Sequence, residues 1–217
     1  IIFIPSLFTP YYRETETVIA LAKEAAPGAP VVTGGYHAAL YPEHHLRKAG
    51  ADYVVPGEGE AAAVAIMDRI GSGDDISRVL GVIRLDHGAV VRGEGGPAEN
   101  IDSLPLPARD ALLDRDFRVY RRRAVSMITS RGCPNRCGFC TVRAVWGGTY
   151  RERSVKSVMA EVRDCAERFR ADMVNFEDDN LFAAKERAVA LLGELIEYEE
   201  SSGVRLDCTA MNGVSLE

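Results

Sequence analysis

Three cysteines fall within eight residues in Ser130-Arg131-Gly132-Cys133-Pro134-Asn135-Arg136-Cys137-Gly138-Phe139-Cys140, spaced Cys-x3-Cys-x2-Cys. Gly132, Pro134 and Gly138 keep this stretch from being helix or strand. Three thiolates from one tight loop can therefore point at a common centre, which is metal chemistry. A structural zinc site wants four ligands, usually in two separated pairs, and no second pair lies nearby. Ferredoxin runs use a different spacing and a fourth cysteine. Three thiolates without a fourth suit a 4Fe–4S cluster held by Cys133, Cys137 and Cys140, with one iron left open for an exchangeable ligand. A three-thiol zinc loop is the alternative.

Other residues could also do chemistry. Glu177-Asp178-Asp179-Asn180 closes the apolar run Met173–Phe176. It can be a plain loop and helix cap, with Asp179 or Asn180 as the cap, or a set of carboxylates for a cation. Gly57-Glu58-Gly59-Glu60-Ala61-Ala62 matches the dinucleotide fingerprint in form. Glu58 and Glu60, however, would press negative charge towards a pyrophosphate. NAD is disfavoured on that ground, and the run reads as the first turn of a helix. Ser6 follows one strand and Gly34-Gly35 the next, with 27 residues between Ser6 and Gly34. A glycine pair lets a ligand approach the backbone closely. His37, just past that pair, reads as a hydrogen-bonded loop residue, with contact to a cofactor tail or substrate as the alternative. His44, His45 and His87 show no ligand spacing and read as surface. Cys165 sits on a helical apolar stripe and Cys208 on the apolar side of a strand, so both read as core.

The elements that must position these residues form two sets. Residues 1–95 alternate strand and helix. Ile1–Ile4 is a continuous apolar run, as in a parallel strand covered on both faces. Val18, Leu21, Ala22 and Ala25 stripe a helix, and Pro30–Thr33 is the next strand. A short helix at 42–49, a strand at 52–55 and a helix at 60–70 with Ala63, Ile66, Met67 and Ile70 follow. Residues 79–85 and 89–92 make a closing hairpin. This is an α/β, flavodoxin-like sheet whose ligand edge lies at the carboxyl ends of its strands. Residues 96–123, with Gly95-Gly96-Pro97 at their head and Leu104-Pro105 and Leu106-Pro107 within, read as a linker. Residues 124–217 then run strand (124–128), helix (154–170, capped by Ser154), strand (173–176), helix (184–200, with Val189, Leu192 and Ile196) and strand (204–209). That order begins a β/α barrel, with the cysteine loop and the acidic cluster both at carboxyl ends of strands.

Composition sets the bounds. The chain has 217 residues, 47% of them hydrophobic, which suits one or two domains with a real core. No apolar run approaches the roughly 20 residues of a membrane span, and no basic signal-peptide region is visible. Five cysteines, odd in number and clustered, indicate a reducing compartment, so a cytoplasmic location is expected. The net charge of −6 disfavours nucleic acid as a partner, and Arg121-Arg122-Arg123 reads as a solvated run. The chain opens in a strand without Met and closes just after another strand, which reads as a fragment.

The cysteine motif resembles that of the radical S-adenosylmethionine (SAM) enzymes, down to the aromatic Phe139 before the last cysteine. The resemblance implies that the three cysteines hold a 4Fe–4S cluster, that SAM chelates its open iron, and that the backbone at Phe139 runs beside the adenine. Phe176-x-Asp178-Asp179-Asn180 is similar to a phrase of the same family, in which a polar residue at this strand end meets the SAM ammonium. Glu177, Asp178 and Asp179 are the candidates. Arg151 or Arg153, in another phrase of the family, could meet a carboxylate, with plain surface charge as the alternative. Ser6, Gly34-Gly35, the Gly-Glu-Gly-Glu run and the phrase from Asp102 to Asp110 resemble the cobalamin-domain branch of the family. In that branch the serine and the glycine pair receive the cofactor tail. The family's Asp-x-His-x-x-Gly signature would precede residue 1, so cobalt ligation through a histidine is not addressed by this chain. The resemblance implies a flavodoxin-like cobalamin domain, the first part of a partial TIM barrel, and reductive SAM cleavage with an external flavodoxin- or ferredoxin-type electron donor. Methyl transfer to a small-molecule substrate is the implied outcome. Oxidative cyclisation, methylthiolation and a non-catalytic metal or cobalamin module are the alternatives.

Overall fold

The computed structural model describes residues 1–79, 81–93, 100–112, 118–146 and 148–212. They divide into two compact units, residues 1–98 and 99–217. The glycine and proline of Gly95-Gly96-Pro97 lie outside the described residues.

The first unit is a five-stranded sheet in the order β1-β2-β3-β4-β5. Its strands are β1 (Ile2–Pro5), β2 (Val31–Gly34), β3 (Tyr53–Val55), β4 (Ile83–Asp86) and β5 (Ala89–Arg92). The first three are parallel, with Ile2 opposite Val31 and Val32 opposite Tyr53. The hairpin β4–β5 closes the sheet antiparallel. Between them run α1 (Tyr12–Ala25), α2 (Tyr36–Leu40), α3 (Pro42–His44) with a π-turn to Ala49, and α4 (Glu60–Ser72). Helix α4 stops at Gly73, whose φ of 76° suits a residue without a Cβ. The β2 side chains Val31, Val32 and Thr33 are fully buried, as a covered parallel strand requires. Strand β1 differs from that expectation. It lies at the edge of the sheet, and Phe3 is 43% exposed while Ile4 is buried.

The second unit is a sheet in the order β11-β10-β7-β6, built from β6 (Arg118–Val119), β7 (Arg122–Met127), β10 (Met173–Phe176) and β11 (Asp207–Ala210). Strands β7, β10 and β11 are parallel, and β6 folds back antiparallel on β7. Helices α6 (Val155–Arg168) and α7 (Lys185–Ser202) make the crossovers. Ser154 caps α6 by accepting the Ser157 N–H at 3.2 Å. Val158, Met159, Val162 and Cys165 on α6 are buried against Val174, Phe176, Leu191 and Leu195. Each such side chain contributes about 1.5–3 kcal/mol of burial. The result is three strands of a β/α half-barrel, all with carboxyl ends on one edge. The proline-rich stretch read as a linker packs into this unit. Asp102 accepts both oxygens' worth of hydrogen bond from the Ser154 N–H at 3.0 Å, and Arg109 reaches buried Glu161 at 2.6 Å.

Several side chains take positions other than those expected. On α1 the buried pair is Thr15 and Ile19, while Val18 and Leu21 are exposed. On α7 the buried set is Ala188, Leu191, Leu195 and Tyr198, while Val189 and Ile196 face outward. On α4 Ile66 is buried, whereas Met67 and Ile70 are exposed. Cys208 is exposed on β11, the last strand of its sheet. His45 is buried, only 1% exposed, under rings of His37 and His44. Among the described residues no helix is long and apolar enough to cross a membrane.

Candidate functional site

Strand β7 delivers the chain to the carboxyl edge of the half-barrel, and there the backbone turns sharply at Thr129. Residues Ser130–Arg131 (β8) then pair antiparallel with Arg151–Glu152 (β9). The cysteine stretch and the short helix α5 (Val142–Trp146) thus form an excursion clamped at its neck by a two-strand ladder. Gly132, at the start of the excursion, has φ of 83°, and a Cβ there would lie 2.0 Å from the Thr149 carbonyl oxygen. Only glycine fits.

Within the excursion all three cysteines are free thiols; Cys133 is half-buried, and Cys137 and Cys140 are exposed. The Cys140 N–H donates to the Cys137 carbonyl at 3.1 Å, closing a turn over Gly138 and Phe139. Phe139 is 91% exposed. Among the described residues no group of three Cys, His, Asp or Glu side chains is gathered as a ready-made metal site. The donor set itself, three soft thiols on one loop with no disulfide, fits an iron–sulfur cluster.

The acidic run sits at the end of β10, beside this loop. The Glu177 N–H donates to the Met127 carbonyl at 2.9 Å, and its Oε1 accepts from the Ser126 hydroxyl at 3.2 Å. Half-buried Glu177 therefore stands at the mouth. Asp178 is different, being 3% exposed. Its Oδ1 accepts from the Thr129 hydroxyl at 2.8 Å and from the Ser130 hydroxyl, and its Oδ2 accepts from the Thr129 N–H at 3.1 Å. Asp179 Oδ2 accepts from the Gly132 N–H at 3.1 Å. Asn180 Oδ1 accepts from the Phe182 N–H at 3.2 Å, the local cap expected of such a loop. Arg153 is no surface charge. It donates to the Ile128 carbonyl and pairs with Glu161, which is 1% exposed and also pairs with Arg109. Sequence reasoning missed Arg187 of α7. It donates to the Thr129 carbonyl at 2.8 Å and the Thr129 hydroxyl at 3.2 Å.

At the carboxyl edge of the first unit, Ser6 and the glycine pair meet each other. The Ser6 N–H donates to the Gly34 carbonyl at 2.7 Å, and the His37 N–H donates to the Ser6 carbonyl at 3.0 Å. Ser6 is 2% exposed, with its hydroxyl 3.4 Å from that of Thr15. A Cβ on Gly35, whose φ is 97°, would lie 2.8 Å from the Ser6 carbonyl, and one on Gly34 would lie 3.2 Å from the Val55 carbonyl. The close approach that these glycines allow is thus of chain to chain. Leu7, Phe8 and Tyr11, all exposed, form an apolar rim directly after it. Gly34 and Gly35 are themselves half-buried, with these exposed apolar side chains following Ser6 in the chain. His37 lies under the edge, with Nδ1 3.2 Å from the Thr9 hydroxyl.

Residues 1–67 match the B12 binding domain family. An uncharacterized methyltransferase of Pyrococcus horikoshii is 30% identical over 80% of this chain and 38% of its own length. The hopanoid C-3 methylase of Methylococcus capsulatus is 31% identical over 87% of this chain and 36% of its own. The radical SAM methyltransferase TsrM of Kitasatospora setae, solved with cobalamin and a [4Fe-4S] cluster, superposes with a TM-score of 0.74 at 21% identity. That match covers 94% of this chain and 42% of TsrM. The fold is therefore a B12-binding unit followed by a partial β/α barrel of the radical SAM type. The chain belongs to the radical SAM enzymes that carry an N-terminal cobalamin-binding domain. It spans well under half the length of the curated relatives named above.

Proposed function

We propose that the whole protein is a cobalamin-dependent radical SAM methyltransferase acting on a small molecule. The observation that carries this is the loop of three free thiols, clamped by β8–β9 at the carboxyl edge of a parallel half-barrel, with Glu177 at the same mouth. Cys133, Cys137 and Cys140 would hold a 4Fe–4S cluster. Such a cluster, with an external flavodoxin- or ferredoxin-type donor, would supply the one-electron chemistry for reductive SAM cleavage, and cobalamin would supply a methyl carrier. Glu177 offers its carboxylate to the SAM ammonium, since Asp178 is committed to the loop neck. The backbone at Phe139 would flank the adenine. In the first unit, Ser6, Gly34 and Gly35 build the floor under the cofactor tail, and Leu7, Phe8 and Tyr11 cover its apolar surface. The division of the chain into a cobalamin unit and a radical SAM unit follows the same reading. A reducing, cytoplasmic setting suits five free cysteines.

Metal analysis of the full-length protein, purified and reconstituted without oxygen, tests this reading. Iron with equimolar sulfide, and cobalamin retained through gel filtration, support it. Zinc without sulfide would make the loop a structural metal site instead.

A further inference from the structure

We propose that Asp178 is a positioning residue for the cysteine loop, acting through Thr129, and is not a SAM ligand. The inference rests on the reading of the loop as a cluster-holding loop. Thr129 is completely buried, Ser130 is 1% exposed and Asp178 is 3% exposed. Every polar group of Thr129 is used. Its N–H and its hydroxyl donate to Asp178, and its hydroxyl also accepts from Arg187. Its carbonyl accepts from the Arg153 N–H at 2.9 Å and from Arg187 at 2.8 Å. Thr129 is four residues before Cys133, and Gly132, held by Asp179, is one residue before it. Two adjacent carboxylates at the end of β10 thus fix two points on the path into the thiol loop. The Arg187 guanidinium from α7 fixes the first point from a second direction.

The chemistry of Asp178 supports positioning over ligand binding. Three donors converge on its two oxygens in a nearly dry site, where charge-assisted hydrogen bonds are strong. A SAM ammonium reaching Asp178 would have to displace one of these donors and leave it buried without a partner. Glu177, one residue earlier and half-buried at the mouth, needs no such displacement. The same strand end therefore presents one carboxylate to the ligand and spends the next on the geometry of the loop.

The test uses the full-length protein, reconstituted anaerobically with iron and sulfide, in four forms: wild type, Asp178→Asn, Ser130→Ala and Cys137→Ala. Iron and sulfide per chain, the electron paramagnetic resonance spectrum of the reduced cluster and its midpoint potential are measured without SAM and then with it. Circular dichroism of each unloaded protein checks the fold. The amide of Asp178→Asn cannot accept from all three donors, so cluster content should fall at least two-fold and the SAM-free spectrum should change. Ser130→Ala should lie between Asp178→Asn and wild type, and Cys137→Ala should hold no intact cluster. If Asp178→Asn keeps wild-type iron, spectrum and potential without SAM and loses only the SAM-induced spectral change, Asp178 is a ligand and the proposal is overturned. Should Asp178→Asn fail to fold, Thr129→Val, which removes only the hydroxyl bond to Asp178, decides: lower cluster content or a changed SAM-free spectrum supports the proposal, and wild-type iron, spectrum and potential overturn it. A wild-type protein that takes up zinc but no iron and sulfide overturns the cluster reading itself, and the two failures are thereby distinct.

Discussion

Gly132 shows how much the site depends on single atoms. Its positive φ and the Thr149 carbonyl 2.0 Å from a would-be Cβ leave no room for any other residue. Gly132→Ala should cost about 2 kcal/mol or more in stability of the second unit, since both left-handed strain and a backbone clash are imposed. Urea unfolding measures this, and loss of iron uptake should accompany it. The five thiols should also differ in reactivity. Cys165 is fully buried on α6, and burial pushes its thiol up to about 11, so at pH 8 only about one molecule in a thousand carries the thiolate. Brief iodoacetamide treatment of the unloaded protein at pH 8 should label Cys137 and Cys140 and spare Cys165, as read by peptide mass spectrometry. Labelling of Cys165 at a comparable rate would mean that α6 opens readily.

Two elements carry stored vulnerability. Glu161 on α6 is 1% exposed between Arg109 and Arg153, which are 9% and 11% exposed at their side chains. Removing it leaves two buried guanidinium groups without their counter-charge. Glu161→Ala should therefore destabilise the second unit by about 3–5 kcal/mol, and denaturant titration checks this. In the first unit, the π-turn after α3 buries His45 with both ring nitrogens lacking a partner among the described residues. Burial first, then the neighbouring His37 and His44, push it down from 6.5 to about 4, with Glu16 opposing. His37 is lowered too, by burial and then by His44. The unfolded chain takes up these protons first, so the contribution is complete above pH 6.5 and is lost as pH falls towards 4. For His45 that loss is about 3 kcal/mol. Urea unfolding at pH 7 and pH 4.5 should show it, and His45→Leu should flatten the difference. An unchanged slope in that variant would contradict the assignment.

The order and type of these elements were legible in the sequence, because apolar runs such as Met173–Phe176 mark them directly, although α4 runs through Gly71 to Ser72, beyond the end at residue 70 expected from the sequence. The phase of the helices was less so. On α7, Val189 and Ile196 advertise a stripe by hydrophobicity. The sheet instead takes the face one position back, where small Ala188 lets α7 pack closely and Tyr198 still reaches the core. The three thiols, and Glu177, Asp178 and Asp179 as a group, were visible as candidates from spacing and position. The neck was not, because Thr129 and Arg187 have meaning only once β10 and α7 bring their partners alongside, and Arg153 was visible only as a charge that could meet a carboxylate. His45 was likewise hidden, since nothing local marks a histidine buried without a hydrogen bond.

At the scale of the whole molecule, the chain joins a B12-binding sheet to the opening strands of a radical SAM barrel. Each unit presents its candidate residues at carboxyl strand ends, where side chains can converge without weakening the sheet that holds them. The proposed role of the thiol loop is reductive SAM cleavage. The most direct test is to reduce the anaerobically reconstituted full-length protein with SAM present and to measure methionine and 5′-deoxyadenosine, for wild type and for Cys137→Ala. Wild type should carry about four irons per chain and cleave SAM, and the variant should lose both. A Cys137→Ala protein that keeps its iron and still cleaves SAM would contradict that role.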